Sequence, residues 1–231
     1  MPLFGRRKNI STPSCSAHGP CRALARLQVA DLRRRLRPLI VAVGPELGAD
    51  PVARPFDGEL VVVLCAEAGA DALIVPEHSA DQWGVARSEL WDWALANLRA
   101  DRLNRQTFPS VTGDTLYAVN GMGWPGAGQV LALEHALGGV ALPNGALVTL
   151  PTQNGLCAVP IRTAATLRGI PYLIQLSLEL AAGDAAPLGA SVYWYRDGGV
   201  ESLNARLKDG NDARMMVSAR FKEMMDRLPT G

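Results

Sequence analysis

Pairs of short apolar runs alternate with single amphipathic segments, and this order limits the possible folds more than any other feature of the chain. Residues 59–66 and 72–76 are rich in Val, Ile and Leu and are joined by a short turn-like segment. Two later pairs flank the sequences TQNG and DGG, which are typical of β-hairpin turns. Hairpins separated by single helices, without strict strand-helix-strand alternation, predict an α+β fold: an antiparallel or mixed sheet built from hairpins, with helices packed on it.

The domain organisation follows from the charge and the apolar periodicity. The 231 residues carry 23 basic and 22 acidic side chains, yet nine basic residues and one acidic residue fall within positions 1–40. Residues 1–21 are rich in Ser, Pro and Gly, which predicts a mobile tail. Residues 22–231 are predicted to form a single α+β domain. Within it we expect a basic amphipathic helix over 22–40 and a C-terminal helix over 212–228.

The strongest helical pattern in the chain begins at Ser88. Leu90, Ala94 and Leu98 then recur on one stripe, as expected for a helix that packs on a sheet. A shorter helix is predicted over 129–137, and residues 163–182 are rich in helix formers but interrupted at Pro171.

Composition also limits the compartment and the partners. The net charge of +1 gives the whole chain no strong field toward nucleic acid or a membrane surface. No apolar run approaches the roughly 18 residues of a membrane span, and no secretory signal follows the basic start. Four cysteines are too few for a disulfide scaffold, so we expect a cytoplasmic protein.

Two groups of side chains are candidates for contact with a partner protein. Arg33, Arg34 and Arg37 lie in the basic segment and can meet an acidic surface. Alternation along SVYWYR places Tyr193 and Tyr195 on one face of a strand, which makes that aromatic face a second candidate surface.

Residues 56–97, which include ELVVVLCA, ALIVP and ELWDWALANL, resemble the YtpQ-like family of uncharacterised bacterial proteins. GALVTLPTQNGLCAVPI and SVYWYRDGG are similar to a later hairpin and a closing strand of that family, so the resemblance covers roughly residues 55–205. The insert VNGMGWPGAGQ and the cysteine-containing tail depart from it. The resemblance implies an α+β domain in the bacterial cytoplasm and brings no catalytic residues.

Candidate metal ligands and acid–base groups are few. Cys15, His18 and Cys21 have the ligand types that zinc prefers, but no fourth ligand lies nearby, so a metal site and a pair of oxidisable thiols both remain open. His78 with Glu77 and Asp81 is either an acid–base cluster or a polar surface turn. Cys65, within an apolar run, is expected to be buried and inert even if it lies near His78.

The loop of residues 121–128, from Gly121 to Gly128, contains a formal G-x-G-x-x-G pattern between a predicted strand and a predicted helix. Such a loop binds a pyrophosphate through free backbone N–H groups, but Pro125 lacks one and no acidic residue follows at the spacing that binds a ribose. We therefore expect a non-enzymatic protein-interaction or regulatory domain, with no catalytic, cofactor-binding or metal residues assigned. The alternative is a small-ligand or nucleotide-binding protein, or an enzyme, that uses this loop.

Overall fold

The computed structural model describes residues 9–11, 20–47, 50–68, 71–208 and 212–230. Its helices are α1 (Pro20–Ala25), α2 (Val29–Arg35), α3 (Glu77–Gln82), α4 (Arg87–Ala100), α5 (Leu133–Ala136), α6 (Ala164–Leu167), α7 (Ile170–Ala181) and α8 (Ala219–Asp226). Two 3₁₀ segments span Pro45–Leu47 and Ala127–Ala132. The strands are β1 (Asn9–Ser11), β2 (Leu36–Ala42), β3 (Ala53–Pro55), β4 (Leu60–Ala68), β5 (Asp71–Ile74), β6 (Leu103–Pro109), β7 (Thr115–Gly121), β8 (Ala146–Thr152), β9 (Gly155–Pro160), β10 (Val192–Arg196), β11 (Gly199–Ser202), β12 (Arg206–Lys208) and β13 (Asp212–Arg214).

The strands form two main sheets, and the predicted α+β class is confirmed. The first sheet has the order β1-β5-β4-β2, with β3 also paired to β4, and is mixed because β1 runs parallel to β5. The second sheet has the order β11-β10-β8-β9-β7-β6 and is antiparallel throughout. A separate hairpin joins β12 and β13.

The predicted hairpins form as expected. β4 pairs with β5, β8 pairs with β9 across the turn at Asn154, and β10 pairs with β11 across the turn at Asp197 and Gly198. In the β10–β11 turn, Asp197 and Gly198 both have a positive φ, as a two-residue hairpin turn requires.

The largest buried cluster combines apolar side chains from one face of each main sheet with residues of α4 and of the segment before α5. Val62 and Leu64 of the first sheet and Val148 and Ala158 of the second belong to it. We call this cluster the inter-sheet core. On the opposite face of the second sheet, α7 and α8 cover a second core, in which Trp194 packs edge-to-face on Phe221 with ring centroids 5.1 Å apart.

Strand β10 is buried on both faces and connects these two cores. Tyr193 and Tyr195 enter the inter-sheet core with 2% and 1% of their surface exposed. The Tyr193 hydroxyl donates a hydrogen bond of 2.6 Å to Asp57, which precedes β4, and the Tyr195 hydroxyl donates to Glu134 in α5. Both tyrosines therefore tie the second sheet to the rest of the molecule through buried hydroxyl–carboxylate bonds.

The single helix expected over 22–40 is wrong, because the segment is interrupted at residues 26–28 between α1 and α2 and its last five residues are not helical. α2 ends at Arg35, and residues 36–42 form strand β2, which pairs with β4. Pro38 has no N–H group to donate within a helix, but β2 is an edge strand, where a missing N–H is tolerated. The Leu-Ile-Val run that follows Pro38 also favours a strand. The N-terminal tail lies mostly outside the described residues, but Asn9–Ser11 form the strand β1.

The C-terminal helix expected over 212–228 is also shorter than predicted. Residues 212–214 form β13, and α8 begins after Ser218, whose side chain accepts a hydrogen bond from the Phe221 N–H. The helix expected over 129–137 is a 3₁₀ segment followed by a single α-helical turn. No helix among the described residues combines the length and the apolar character that crossing a membrane requires.

The buried tyrosines predict how stability changes at alkaline pH. Burial, and then the hydrogen bonds to Asp57 and Glu134, raise the pKa of Tyr193 and of Tyr195 above the ordinary value of about 10. The unfolded chain ionises above that pH while the folded chain keeps both protons. The contribution of these groups to stability is therefore complete below about pH 10 and decreases as the pH rises further.

In urea unfolding measured from about pH 9 to pH 11, we expect Tyr193→Phe to lose stability with pH less steeply than the unaltered chain. The difference in slope should reach at most about 1.4 kcal/mol per pH unit, the value for one titrating group. Equal slopes for the two proteins would show that Tyr193 does not titrate abnormally.

Candidate functional site

A groove of about 440 Å³ lies between α7 and the part of the second sheet that α7 does not cover. Its floor is the outer face of β7 and β9, and its far wall is β6. We call this site the α7 groove. A cavity of this size falls within the range that small-molecule sites occupy in proteins.

The register of the strands explains the composition of the floor. Leu116, Ala118 and Asn120 are alternate residues of β7 and therefore point to the same face of the sheet. Phe108 lies opposite Leu116 and is 46% exposed, so it forms an apolar rim. Ala118 is the smallest side chain of the set, and its position in the middle of the floor leaves the space that the groove occupies.

Helix α7 supplies the near wall through side chains one turn apart. Tyr172, Leu176 and Leu180 recur at a spacing of four residues, which places them on one side of the helix. The helix runs along the groove, because Gly169 at its start lies against Thr112 in the β6–β7 turn, and Ala186 beyond its end accepts a hydrogen bond from the Gln153 N–H.

These elements set the length of the groove. From Leu116 to Asn120 the strand rises about 14 Å. From Tyr172 to Leu180 the helix rises about 12 Å. The site is therefore a short channel, lined by Leu116, Phe108 and the ring of Tyr172 at one end and by the polar side chains of Asn120 and Thr152 at the other.

Two carboxamides face the groove without a protein partner. Asn120 is only 9% exposed, and within the described ranges neither it nor Gln106 forms a hydrogen bond with another protein group. The hydroxyl of Thr152, by contrast, accepts a hydrogen bond from the Asn154 N–H. The side-chain N and O atoms of Asn120 open into the groove and are not among the fully buried polar atoms without a partner, so this carboxamide is the polar group most available to a ligand.

The one thiol of the groove is not a nucleophile near neutral pH. Cys157 is buried at the floor beside Ala118, and burial raises its pKa to about 11. The described lining residues include no Asp, Glu, Lys, Arg or His. The groove therefore lacks the acid–base pair that nucleophilic catalysis requires.

A second, wider cleft of about 960 Å³ lies on the other flank of α7 and has a mixed character. Leu178 and Ile174 line it together with the charged side chains of Asp57, Glu59 and Arg206. Asp57 already accepts hydrogen bonds from Tyr193 and from the N–H groups of Glu59 and Leu60. Because its charged groups belong to the surface and to the sheet junction, this cleft is a weaker candidate than the α7 groove.

The backbone N–H groups of the loop of residues 121–128 bind the β8–β9 turn, so they are not arranged to bind a phosphate. The N–H groups of Gly121 and Gly126 both donate to the Asn154 carbonyl, at 3.0 and 3.1 Å, and the Ala127 N–H donates to Gln153. A Cβ atom at Gly121 would overlap the Trp124 carbonyl, which explains the glycine there. Since these donors are already used, the nucleotide-binding alternative loses the geometry that motivated it.

Trp124, in the same loop, fastens the loop to the first sheet. Its indole is 4% exposed, packs with Leu39 and Leu98, and donates a hydrogen bond of 3.2 Å to the Pro38 carbonyl. The glycines of the loop therefore allow the backbone to pack closely where the two sheets meet.

The structure separates the three candidate arginines. Arg37 is directed inward from β2, where its guanidinium donates to Asp101 and Glu67 at 2.9 Å each and lies over the Trp124 ring. Arg33 and Arg34 are exposed on α2, and the Arg33 guanidinium lies 5.0 Å from the centre of the Trp93 ring. Arg37 is thus a structural residue, and only Arg33 and Arg34 are available to a partner.

Tyr193 and Tyr195 were expected to present an aromatic surface, and their burial corrects that expectation. The alternation of faces was right, but β10 is an interior strand with a core on each side, so both rings are inaccessible. A continuous apolar run such as VYWY is the pattern of a strand that is covered on both faces.

Of the two interpretations of His78, Glu77 and Asp81, the structure favours the polar surface turn. Glu77 and Asp81 both bind Arg87, at 2.6 and 2.5 Å, while His78 is exposed on α3. Cys65 is fully buried, and burial raises the pKa of its thiol. Among the described residues no three His, Cys, Asp or Glu side chains converge as metal ligands, and Cys15, His18 and the side chain of Cys21 lie outside the described part of the chain.

The comparisons with known proteins add no information about this site. No protein-family model matches the chain, and neither the curated proteins nor the solved structures gave a match.

The position of Arg37 predicts a loss of stability on substitution. Arg37→Ala removes the guanidinium from two carboxylates that are 12% and 28% exposed, and truncating one partner of such a largely buried pair costs about 2–4 kcal/mol. Urea unfolding should show this loss. Arg34→Ala, an exposed neighbour, should stay within about 0.5 kcal/mol of the unaltered chain. Similar effects of the two changes would contradict the structural role of Arg37.

Proposed function

We propose that this chain is a non-enzymatic binding protein that holds a small apolar ligand in the α7 groove. The observation that carries the proposal is the combination of a ligand-sized, mostly apolar channel with the carboxamide of Asn120 opening into one end of it. Sites of this kind are mostly apolar and use a few polar groups for orientation.

Volume favours a small molecule over a protein segment as the occupant. The groove measures about 440 Å³ and is about 12 Å long, whereas a stable protein interface buries about 800 Å² on each partner. A folded partner could not enter the channel between α7 and β6. The chemistry of the floor, with Cys157 protonated and no charged group among the described lining residues, supports binding without reaction.

The wider setting of the protein also remains a proposal. The strand and hairpin sequences over residues 55–205 support membership in the YtpQ-like family of bacterial proteins, and the sparse cysteines support residence in the cytoplasm.

A substitution in the floor of the groove tests the proposal. The neutral dye N-phenylnaphthylamine should gain fluorescence on binding to the unaltered chain. Ala118→Phe places an aromatic ring in the channel and should weaken dye binding at least about tenfold, equivalent to about 1.4 kcal/mol. Ala96→Phe, the same change at an exposed position on α4, should leave dye binding unchanged.

Two results would contradict the proposal. The first is a lack of saturable dye binding to the unaltered chain. The second is equal dye affinity in the Ala118→Phe and Ala96→Phe variants when circular dichroism shows that both are folded.

A second function is favoured by the exposed arginines of α2. Arg33, whose side chain is 66% exposed, is held against Trp93, and Arg34 is exposed beside it. We propose that this pair binds an acidic segment of a partner protein. The net charge of +1 for the whole chain argues against nucleic acid as the partner.

Fluorescence anisotropy with a Glu-rich peptide and with a single-stranded RNA of equal charge tests this second function. We expect the peptide to bind, and the double change Arg33→Glu with Arg34→Glu to weaken it about tenfold or more, because two attractive charges become repulsive. Arg168→Glu with Arg227→Glu is the matched control, since it changes the net charge equally at exposed positions elsewhere. Tighter binding of the RNA, or an equal effect of the control, would overturn the idea.

A further inference from the structure

The α7 groove has two chemically different ends, and this polarity limits what can occupy it. At one end Phe108 and Leu116 offer only carbon atoms to a ligand. At the other end the carboxamide of Asn120 lies beside Gly155, whose lack of a side chain makes room for it. A ligand in the channel is therefore directed, with an apolar tail toward Phe108 and a polar group toward Asn120.

The carboxamide of Asn120 opens into the groove, where it can meet a polar group of a ligand. The residue is 9% exposed, but its side-chain N and O atoms are not among the fully buried polar atoms without a partner, so they are accessible to a ligand group in place of water. A carboxamide can donate through its NH₂ group and accept through its oxygen, so it suits a ligand group with both capacities.

The charge of the lining disfavours an ionised ligand group inside the channel. The described residues that line the groove carry no cationic side chain that could pair with a carboxylate or phosphate, and no anionic one that could pair with an ammonium group. An ionised group in this channel would lose its hydration without gaining a counter-ion, which is strongly unfavourable.

We infer that the natural ligand is an uncharged molecule with an apolar chain or ring of medium length that ends in an amide, alcohol or similar neutral hydrogen-bonding group. This inference rests on the proposed binding function of the α7 groove and specifies its ligand class. Asn120 is the specificity-determining residue, because it binds the polar end and has no charge to offer an ionised group.

Three ligands with the same chain length test the inference on the unaltered protein. Decanamide, decanol and decanoate are each titrated below their aggregation limits against protein loaded with N-phenylnaphthylamine, at about pH 7, where the carboxylate is ionised. Decanamide and decanol should displace the dye at concentrations about tenfold or more below that of decanoate.

Substitution of the carboxamide supplies the second measurement. Asn120→Leu keeps the branched shape and the number of side-chain heavy atoms, but it is larger and removes both hydrogen-bonding groups, so decanamide should lose about fivefold or more in affinity relative to the dye. The measured quantity is the ratio of the decanamide affinity to the dye affinity in each of the two proteins. This ratio separates the loss of a specific hydrogen bond from a general disturbance of the groove, which would weaken both ligands.

Each outcome decides the inference. Displacement by decanoate as effective as by the neutral ligands overturns it, and so does dye binding that none of the three ligands disturbs; both results leave the proposed binding function intact. Absence of dye binding to the unaltered chain overturns the binding function and the inference together. The comparison of ligands requires no variant, so it remains valid even if Asn120→Leu does not fold.

Discussion

The mismatch in width between a six-stranded sheet and the helix that covers it determines the most distinctive feature of this protein. Neighbouring strands lie about 4.8 Å apart, so a helix about 10 Å across covers roughly two of them. α7 lies over the middle of the second sheet, next to the hairpin β12–β13, and α8 closes the core around Trp194. The outer face of β6 and β7 extends past this cover, and the α7 groove is the space that results.

The other face of the second sheet has no uncovered part of this kind, because it packs in the inter-sheet core. Tyr193 and Tyr195 occupy it together with side chains from the first sheet, and their hydroxyl groups bind carboxylates on two different elements. Close packing of this kind fixes the position of β10, and through β8 and β9 it fixes the floor of the groove. A site on such a floor is preorganised, because its shape does not depend on a mobile loop.

Much of the second sheet could be predicted from the sequence because its signals are local. Asn154-Gly155 and Asp197-Gly198 specify turns, and the apolar runs beside them specify strands. β6 carries little such signal, because it is an edge strand with exposed Arg105 and Thr107. The sequence predicts helix over residues 36–40 because Leu36 continues the leucine spacing of α2, whereas pairing with β4, a non-local contact, makes this segment extended.

The groove could not be predicted from the sequence, for a related reason. Its walls come from β6, β7, β9 and α7, and its defining residues, Ala118 and Asn120, belong to no motif. The G-x-G-x-x-G pattern, Gly121 to Gly126, lies directly after Asn120 and has a structural role. Its N–H groups bind the carbonyl of Asn154, so the loop turns sharply toward the first sheet and Trp124 reaches Pro38.

That turn links the junction of the sheets to the site. Because the chain leaves β7 toward the first sheet at Gly121, no side chain of the following loop is among the described residues that line the groove at Asn120. The glycines that resemble a nucleotide fingerprint thus shape the polar end of the groove indirectly. By keeping the backbone close to the β8–β9 turn, they leave the polar end of the channel open and the carboxamide of Asn120 available to a ligand.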